Sequence, residues 1–155
     1  MVASRRDGKS VLYRIADDGV LDLIASVRRV AERNVAEVAQ IVGSYFAARD
    51  TMEPVSRIEL VERLRLGLVT VLDVRPHDEF MLGHVPGAFN IPLEALESRL
   101  AEFDRTQEIV AYCRSTYCVL SFEAVATLRA RGFNVRRLED GFPEWRAAGL
   151  PYEVS

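Results

Sequence analysis

The stretch that decides the fold runs from Ile109 to Val119 and contains both cysteines of the chain. It reads Ile109-Val110-Ala111-Tyr112-Cys113-Arg114-Ser115-Thr116-Tyr117-Cys118-Val119. The apolar run before Cys113 is typical of a buried strand, and the pattern from Val119 to about Arg131 is typical of a helix. A strand therefore leads Cys113 into a tight loop that ends at a helix N-terminus. Because backbone N–H groups and the positive end of the helix dipole meet there, we expect the thiol to lose its proton readily and to be reactive.

The segments around this loop alternate between strand and helix patterns. The predicted strands cover 68–74, 88–91, 108–112 and 134–138, and the predicted helices cover 57–66, 93–103, 119–131 and 143–148. Such alternation is typical of an α/β protein with a parallel sheet and helices on both of its faces. Ligands of such sheets bind at the carboxyl ends of the strands, which is where Cys113 falls.

The first third of the chain has a different pattern. Residues 4–15 predict a β-hairpin around the turn dipeptide Asp7-Gly8, and residues 19–48 predict one long helix that Asp17 and Asp18 can cap. The helix carries a heptad pattern at Ile24, Val27, Ala31, Asn34, Val38, Ile41 and Tyr45.

A helix of that length measures about 45 Å and needs a packing partner. We expect the partner to be the same helix of a second chain, which gives a homodimer through residues 19–48; packing on its own domain is the alternative. Pro54 blocks continuation of the helix, so 49–54 is the predicted linker. The expected domains are 1–52 and 53–155.

Composition restricts the class of protein. Apolar residues make up 49% and charged residues 28% of the 155, with a net charge of -3, a balance that gives no global attraction to nucleic acid or anionic membranes. The N-terminus has no apolar core for a signal peptide, and no run approaches the roughly 18 apolar residues of a membrane span. Two cysteines in one loop suit a reducing compartment. We therefore expect a cytoplasmic protein with no membrane partner.

Several further motifs stand in a fixed order in the second part of the chain. They are Asp73-Val74-Arg75 with Glu79-Phe80, then Gly83-His84-Val85-Pro86-Gly87-Ala88-Phe89-Asn90-Ile91-Pro92, then Tyr112-Cys113-Arg114, and finally Gly141-Phe142-Pro143-Glu144-Trp145 with Ala148-Gly149-Leu150-Pro151. With these motifs, residues 55–155 resemble a rhodanese domain. The resemblance implies a rhodanese-like sheet and a sulfurtransferase. Its substrates would be a small sulfur donor such as thiosulfate and a thiol or cyanide acceptor, with no cofactor and no metal.

The resemblance also implies roles for individual residues. Cys113 would carry the sulfane sulfur as a persulfide, and the backbone amides of the loop would surround that sulfur. Arg114 would attract an anionic donor, unless it is an ordinary surface arginine. Three residues would support the loops structurally: Asp73, Arg75 and His84. The substrate-binding loop consists of Arg114, Ser115, Thr116, Tyr117 and Cys118.

Two other cysteine chemistries fit less well. Cysteine phosphatases and arsenate reductases close their loop with an Arg that clamps the oxyanion, and Val119 stands at that position here. Cys113 and Cys118 with His77 and His84 lack the usual spacing of zinc ligands. Sulfur transfer is therefore favoured over phosphate or metal chemistry.

The role of Cys118 stays open between two interpretations. As a resolving thiol it would attack the Cys113 persulfide, release sulfide and leave a disulfide. As a structural residue it would be a small apolar side chain packed at the start of the helix.

Residues 1–50 resemble the end of a winged helix-turn-helix regulator of the ArsR type. The hairpin would be its wing and the long helix its dimerisation helix, in an architecture that fuses an ArsR-type regulator to a rhodanese domain. The helix-turn-helix should precede the wing and is missing, so we expect a truncated regulator for which DNA is a doubtful partner. Arg5, Arg6, Lys9 and Arg14 either contact phosphates or form a solvated surface. The alternative function is a sulfur- or redox-responsive regulator that uses Cys113 and Cys118 as its sensor.

Overall fold

The computed structural model describes residues 1–17, 19–41, 44 and 54–155. It divides the chain into two units, Met1–Val42 and Gly43–Ser155. Among the helices of the described ranges, none combines the length and the apolar character needed to cross a bilayer.

The first unit begins with the predicted hairpin, formed by β1 (Val2–Asp7) and β2 (Ser10–Ile15). The strands pair antiparallel with Asp7 opposite Ser10, so Gly8 and Lys9 form the turn. Gly8 has a φ of +59°, a left-handed conformation that glycine adopts without the steric cost of a Cβ atom. The hairpin expected from the Asp7-Gly8 dipeptide is therefore present.

The helical part of this unit is not one continuous helix. α1 spans Gly19–Asn34 and α2 spans Ala36–Ile41, with an interruption at Val35. The side-chain amide of Asn34 donates to the carbonyl oxygen of Val30 at 2.8 Å. Such a local bond offers the backbone an alternative to the regular helical pattern. The helix predicted over 19–48 is therefore interrupted beside Asn34 in the described residues, although the Val35 N–H still donates to the carbonyl oxygen of Ala31 at 2.8 Å.

The start of α1 is capped as expected, because Asp17 Oδ1 accepts a hydrogen bond from the Gly19 N–H at 2.7 Å. Other predictions for this region lie outside the described residues. They are the cap at Asp18, the side chain of Val38, the heptad position Tyr45 and the linker over 49–53.

The second unit is a four-stranded parallel sheet with helices on both faces. Its strands are β3 (Val69–Asp73), β4 (Phe89–Asn90), β5 (Glu108–Tyr112) and β6 (Val135–Arg137), in the order β4-β3-β5-β6. Its helices are α3 (Arg57–Arg65), α4 (His77–Met81), α5 (Leu93–Leu96), a 3-10 helix (Glu97–Glu102), α6 (Val119–Ala130) and α7 (Phe142–Ala147). Val55 adds a parallel bridge beside Leu138.

The central strand β5 sends alternate side chains into two hydrophobic cores. Ile109 and Ala111 pack with α5 and α6 on one face, whereas Val110 and Tyr112 pack with α3 and α7 on the other. A strand buried on both faces needs a continuous apolar run, which is what the sequence provides. The predicted fold class, an α/β protein with a parallel sheet preceded by a hairpin, is confirmed.

Candidate functional site

Cys113 follows the last residue of β5, at the carboxyl end of the parallel sheet. Tyr112 pairs with Asp73 of β3, which fixes where the chain leaves the sheet. The carbonyl oxygen of Cys113 accepts a hydrogen bond from the Phe142 N–H at 2.9 Å, so the start of α7 holds the start of the loop. The residue is 1% exposed.

A disulfide joins Cys113 to Cys118 across the loop, with their Cα atoms 6.1 Å apart. Cys118 is the N-cap residue of α6, so both sulfur atoms lie at the N-terminus of that helix. The N–H of Cys118 donates to the carbonyl oxygen of Ser115 at 3.1 Å. That amide is engaged within the loop, which leaves fewer N–H groups for a bound sulfur than the sequence suggested.

Gly141 packs directly against the backbone of the loop. A Cβ atom at this position would overlap the carbonyl carbon of Arg114 and the nitrogen of Ser115. Gly141 has a φ of -106°, which every residue adopts, so the need for glycine comes from close approach and not from conformation. Gly141 therefore fixes the position of the loop.

We predict that Gly141→Ala lowers the rate of the sulfur transfer implied by the sequence resemblance by about 10- to 100-fold, since the loop must shift to admit the methyl group. The measurement is kcat/KM for thiosulfate. Gly149→Ala is the matched control, because Gly149 has open space around its Cβ position and a φ of +70°. It should lower stability while keeping most of the activity; equal activity losses in both variants would contradict the prediction.

Arg114 forms an ion pair with Glu79 of α4 at the surface of the site. Its Nε donates to both carboxylate oxygens of Glu79 at 2.9 Å. The hydrogen bonds and charge of Glu79 raise the pKa of Arg114 above its ordinary value. Arg114 is 46% exposed, so an anion in solution can approach the guanidinium but must compete with the Glu79 carboxylate.

Asp73 and Arg75 form a buried ion pair beneath the loops. The Arg75 guanidinium donates to both oxygens of Asp73, at 2.6 to 3.0 Å, and also to the carbonyl oxygen of Gly83 at 2.7 Å. Burial opposes its charge, but the hydrogen bonds and charge of Asp73 raise the pKa of Arg75. The guanidinium also lies 4.5 Å from the centre of the Phe142 ring, so the pair connects β3 to α7.

His84 is buried, and both of its ring nitrogens have neighbours. Its Nδ1 donates to the carbonyl oxygen of Phe80 at 3.0 Å, and its Nε2 lies 3.5 Å from the Glu153 carboxylate. The ring stacks on Phe80 with centroids 3.7 Å apart. These contacts tie α4 to the C-terminal segment.

Arg137, at the end of β6, is a residue of the site that the sequence analysis missed. Its Nη1 donates to the carbonyl oxygen of Thr116 at 3.3 Å, and its guanidinium lies 4.3 Å from the centre of the Phe122 ring. The side chain is buried. The sequence signal that could have identified Arg137 is a charged residue at an inward position of a short predicted strand. Its guanidinium places a positive charge behind the loop.

Comparison with known proteins agrees with this geometry. Residues 56–148 match the Rhodanese-like domain family. The chain therefore belongs to the rhodanese-like family. A solved structure of a rhodanese-related protein from Thermoplasma volcanium superposes with a TM-score of 0.61 at 26% identity, covering 67% of this chain and 100% of that one.

Two curated relatives differ in the names they carry. A sulfurtransferase from Allochromatium vinosum is 32% identical over 84 residues, which are 54% of this chain and 77% of that protein. An HTH-type transcriptional regulator from Mycobacterium tuberculosis is 44% identical over 153 residues, which are 99% of this chain and 67% of that protein. The second similarity extends through the N-terminal unit and is consistent with a fusion of a regulator to a rhodanese domain.

Proposed function

We propose that the chain is a cytoplasmic sulfurtransferase that moves a sulfane sulfur from thiosulfate, or a similar anionic donor, to a thiol or cyanide through a persulfide on Cys113. The observation that carries the proposal is the position of Cys113, at the carboxyl end of β5 and beside the N-terminus of α6. A helix N-terminus stabilises a thiolate and a persulfide anion alike. The rhodanese-like family supports the same chemistry.

The test of this function is thiocyanate formation from thiosulfate and cyanide by the reduced chain. Reduction comes first, because Cys113 cannot attack a donor while it is bonded to Cys118. We expect turnover with ping-pong kinetics, since the sulfur passes through a covalent intermediate. A rate no higher than that of the protein-free mixture would contradict the proposal.

We propose that Arg114 binds the anionic donor and that Glu79 weakens this binding by competing for the guanidinium. Glu79→Gln is therefore expected to lower KM for thiosulfate by about two- to fivefold, a small effect because the pair is half exposed. Arg114→Gln should raise KM. Steady-state kinetics measure both changes.

The control for the Glu79 variant is Glu62→Gln, the same change of charge on α3, where Glu62 is exposed. It should leave KM for thiosulfate unchanged. If Arg114→Gln also leaves KM unchanged, Arg114 has no part in donor binding.

We propose the domains 1–52 and 53–155, and a homodimer formed through residues 19–48. The described part of α1 supports the dimer, because none of residues 19–34 is buried. The heptad positions Ile24 and Val27 are 49% and 61% exposed. With Met1, Val2 and Ile15 they line an apolar groove of about 380 Å³ between the hairpin and α1. An apolar surface of this kind is normally covered by a partner.

The dimer predicts that charges at two heptad positions separate the chains. Ile24→Glu combined with Val27→Glu should raise the dissociation constant on the order of 10²-fold, because four carboxylates would face an apolar interface. Sedimentation equilibrium measures the constant. Lys9→Glu, in the hairpin turn, is the control and should leave it unchanged. A native chain that sediments as a monomer at micromolar concentration would contradict the proposal.

A second candidate function is a sulfur- or redox-responsive regulator in which Cys113 and Cys118 form the sensor. The observation that favours it is the 44% identity to an HTH-type transcriptional regulator. It predicts that the chain binds a specific DNA fragment. The affinity should fall steeply as the salt concentration rises and should change when the two cysteines are oxidised. Binding that unrelated competitor DNA abolishes equally well in the reduced and the oxidised state would count against this function.

A further inference from the structure

We propose that Cys118 gives the chain a second activity, in which the sulfur taken up by Cys113 is released as sulfide and the loop closes as a disulfide. This inference rests on the proposed persulfide at Cys113. It starts from one observation: the structure joins the Sγ atoms of Cys113 and Cys118 directly. The backbone of the loop therefore brings Cys118 to the sulfur atom that a resolving thiol must attack.

The surroundings of Cys118 suit a nucleophile. Within the described helix α6, Cys118 occupies the N-cap position, and its side chain makes no capping hydrogen bond. Its carbonyl oxygen accepts hydrogen bonds from the N–H and Oγ of Ser121, at 3.2 and 2.9 Å, which fixes the backbone. A thiol at a helix N-terminus has a larger thiolate fraction than a free cysteine. The backbone of Cys118 is therefore held in place, and its sulfur atom makes no capping hydrogen bond to the helix.

The two half-reactions balance in atoms and electrons. In the first, the Cys113 thiolate attacks the sulfane sulfur of thiosulfate, an S–S bond forms, and sulfite leaves with the electron pair of the broken bond. In the second, the Cys118 thiolate attacks Sγ of Cys113, the bond to the outer sulfur breaks, and that sulfur takes the electron pair and a proton from water and leaves as hydrosulfide. Both cysteines are oxidised to a disulfide, and the outer sulfur is reduced to sulfide.

Regeneration needs an external dithiol, of the kind that reduces protein disulfides. Cys113 is 1% exposed, whereas Cys118 is only partly buried. An incoming thiolate therefore reaches the sulfur of Cys118 first and expels Cys113 as a thiolate, ready for the next donor. Over a full cycle, thiosulfate and a dithiol give sulfite, sulfide and the oxidised dithiol.

The proposed step also implies a competition between acceptors. Cyanide attacks the outer sulfur of the persulfide and forms thiocyanate, whereas Cys118 attacks the inner sulfur and forms sulfide. The two reactions draw on the same intermediate, so removal of Cys118 should raise the thiocyanate yield per thiosulfate consumed.

The experiment uses the full chain, reduced and then freed of reductant, mixed with thiosulfate in the absence of cyanide. Sulfite, sulfide and the intact mass are measured for the native chain and for Cys118→Ser. The native chain should release about one sulfite and about one sulfide per chain and lose the mass of two hydrogens. Cys118→Ser should release about one sulfite, release no sulfide above the blank, and gain the mass of one sulfur.

The outcomes separate this inference from the proposed function. If the native chain releases sulfite, keeps the added sulfur and releases no sulfide, the role of Cys118 is overturned but the persulfide at Cys113 stands. Equal sulfide release from the native chain and from Cys118→Ser would also overturn the role of Cys118. Absence of both sulfite and added sulfur in all variants would overturn the persulfide at Cys113 and the inference with it. Cys118→Ala repeats the comparison without a hydroxyl at the N-cap, and the far-ultraviolet circular dichroism spectrum and the urea unfolding midpoint of each variant verify that it is folded.

A kinetic readout separates attack within one chain from exchange between chains. The rate constant of sulfide release should stay the same over an approximately tenfold range of protein concentration, because Cys118 and Cys113 belong to one loop. A rate constant that rises in proportion to concentration would overturn the intramolecular step.

Discussion

Replacement of Cys113 by serine is expected to abolish thiocyanate formation, with a loss on the order of 10³-fold or more. The hydroxyl of serine keeps the size of the side chain but cannot carry a sulfane sulfur through a persulfide. Phe142 N–H should still donate to the carbonyl oxygen of residue 113, since that bond involves the backbone. The loss is therefore expected in kcat, with the fold intact.

The matched exchange is Cys118→Ser, which removes the other thiol of the same loop. It should raise the thiocyanate yield, because the competing release of sulfide is lost. Turnover that survives Cys113→Ser, or turnover that is abolished only by Cys118→Ser, would contradict the assignment of the nucleophile.

The second large effect is expected at the buried ion pair of Asp73 and Arg75. Asp73→Ala should lower the free energy of unfolding of the rhodanese domain by about 3 to 5 kcal/mol, because the buried Arg75 guanidinium loses its charged partner. Asp73 is fully buried and also accepts from the Arg75 N–H at 2.9 Å. Urea unfolding followed by the fluorescence of Trp145, the sole tryptophan, measures the change.

Two further variants test the cause of that loss. Glu94→Ala, an exposed position on α5, should change the free energy of unfolding by no more than about 0.5 kcal/mol. The double variant Asp73→Ala with Arg75→Leu should recover part of the loss, since no unpaired buried charge remains. A loss below about 1 kcal/mol in Asp73→Ala would show that the pair does not support the fold in this way.

The central strand of the sheet was predictable because it is buried on both faces. The run before Cys113 is apolar at every position, and β5 has the bounds predicted for it, Glu108–Tyr112. The hairpin was also predictable, because two residues determine its turn. Local chemistry decides these elements, so local sequence predicts them.

Other features depend on contacts that local sequence does not contain. The sequence did not predict helix α4, which is only five residues long. This helix provides Glu79, the ion-pair partner of Arg114, which lies 35 positions further along the chain. The interruption at Val35 lies beside the bond from the Asn34 side chain to the Val30 carbonyl oxygen, which the heptad pattern does not show. Arg137 and Gly141 contact the loop only because β6 and α7 return to its edge.

The rhodanese loop was identifiable from its residues, but its internal arrangement was not. Spacing put Cys113 and Cys118 in one loop and left open whether their side chains meet. The structure bonds them and engages the Cys118 N–H with Ser115. This contact favours the resolving-thiol interpretation, which was one of the two that the sequence left open.

The central claim is that Cys113 carries the transferred sulfur, and peptide mass spectrometry tests it most directly. The Cys118→Ser chain is reduced, treated with thiosulfate, alkylated and digested, so that a persulfide persists and can be located. The account predicts the added mass of about one sulfur on the peptide that contains Cys113. An unmodified Cys113 peptide in a chain that still forms thiocyanate would contradict it.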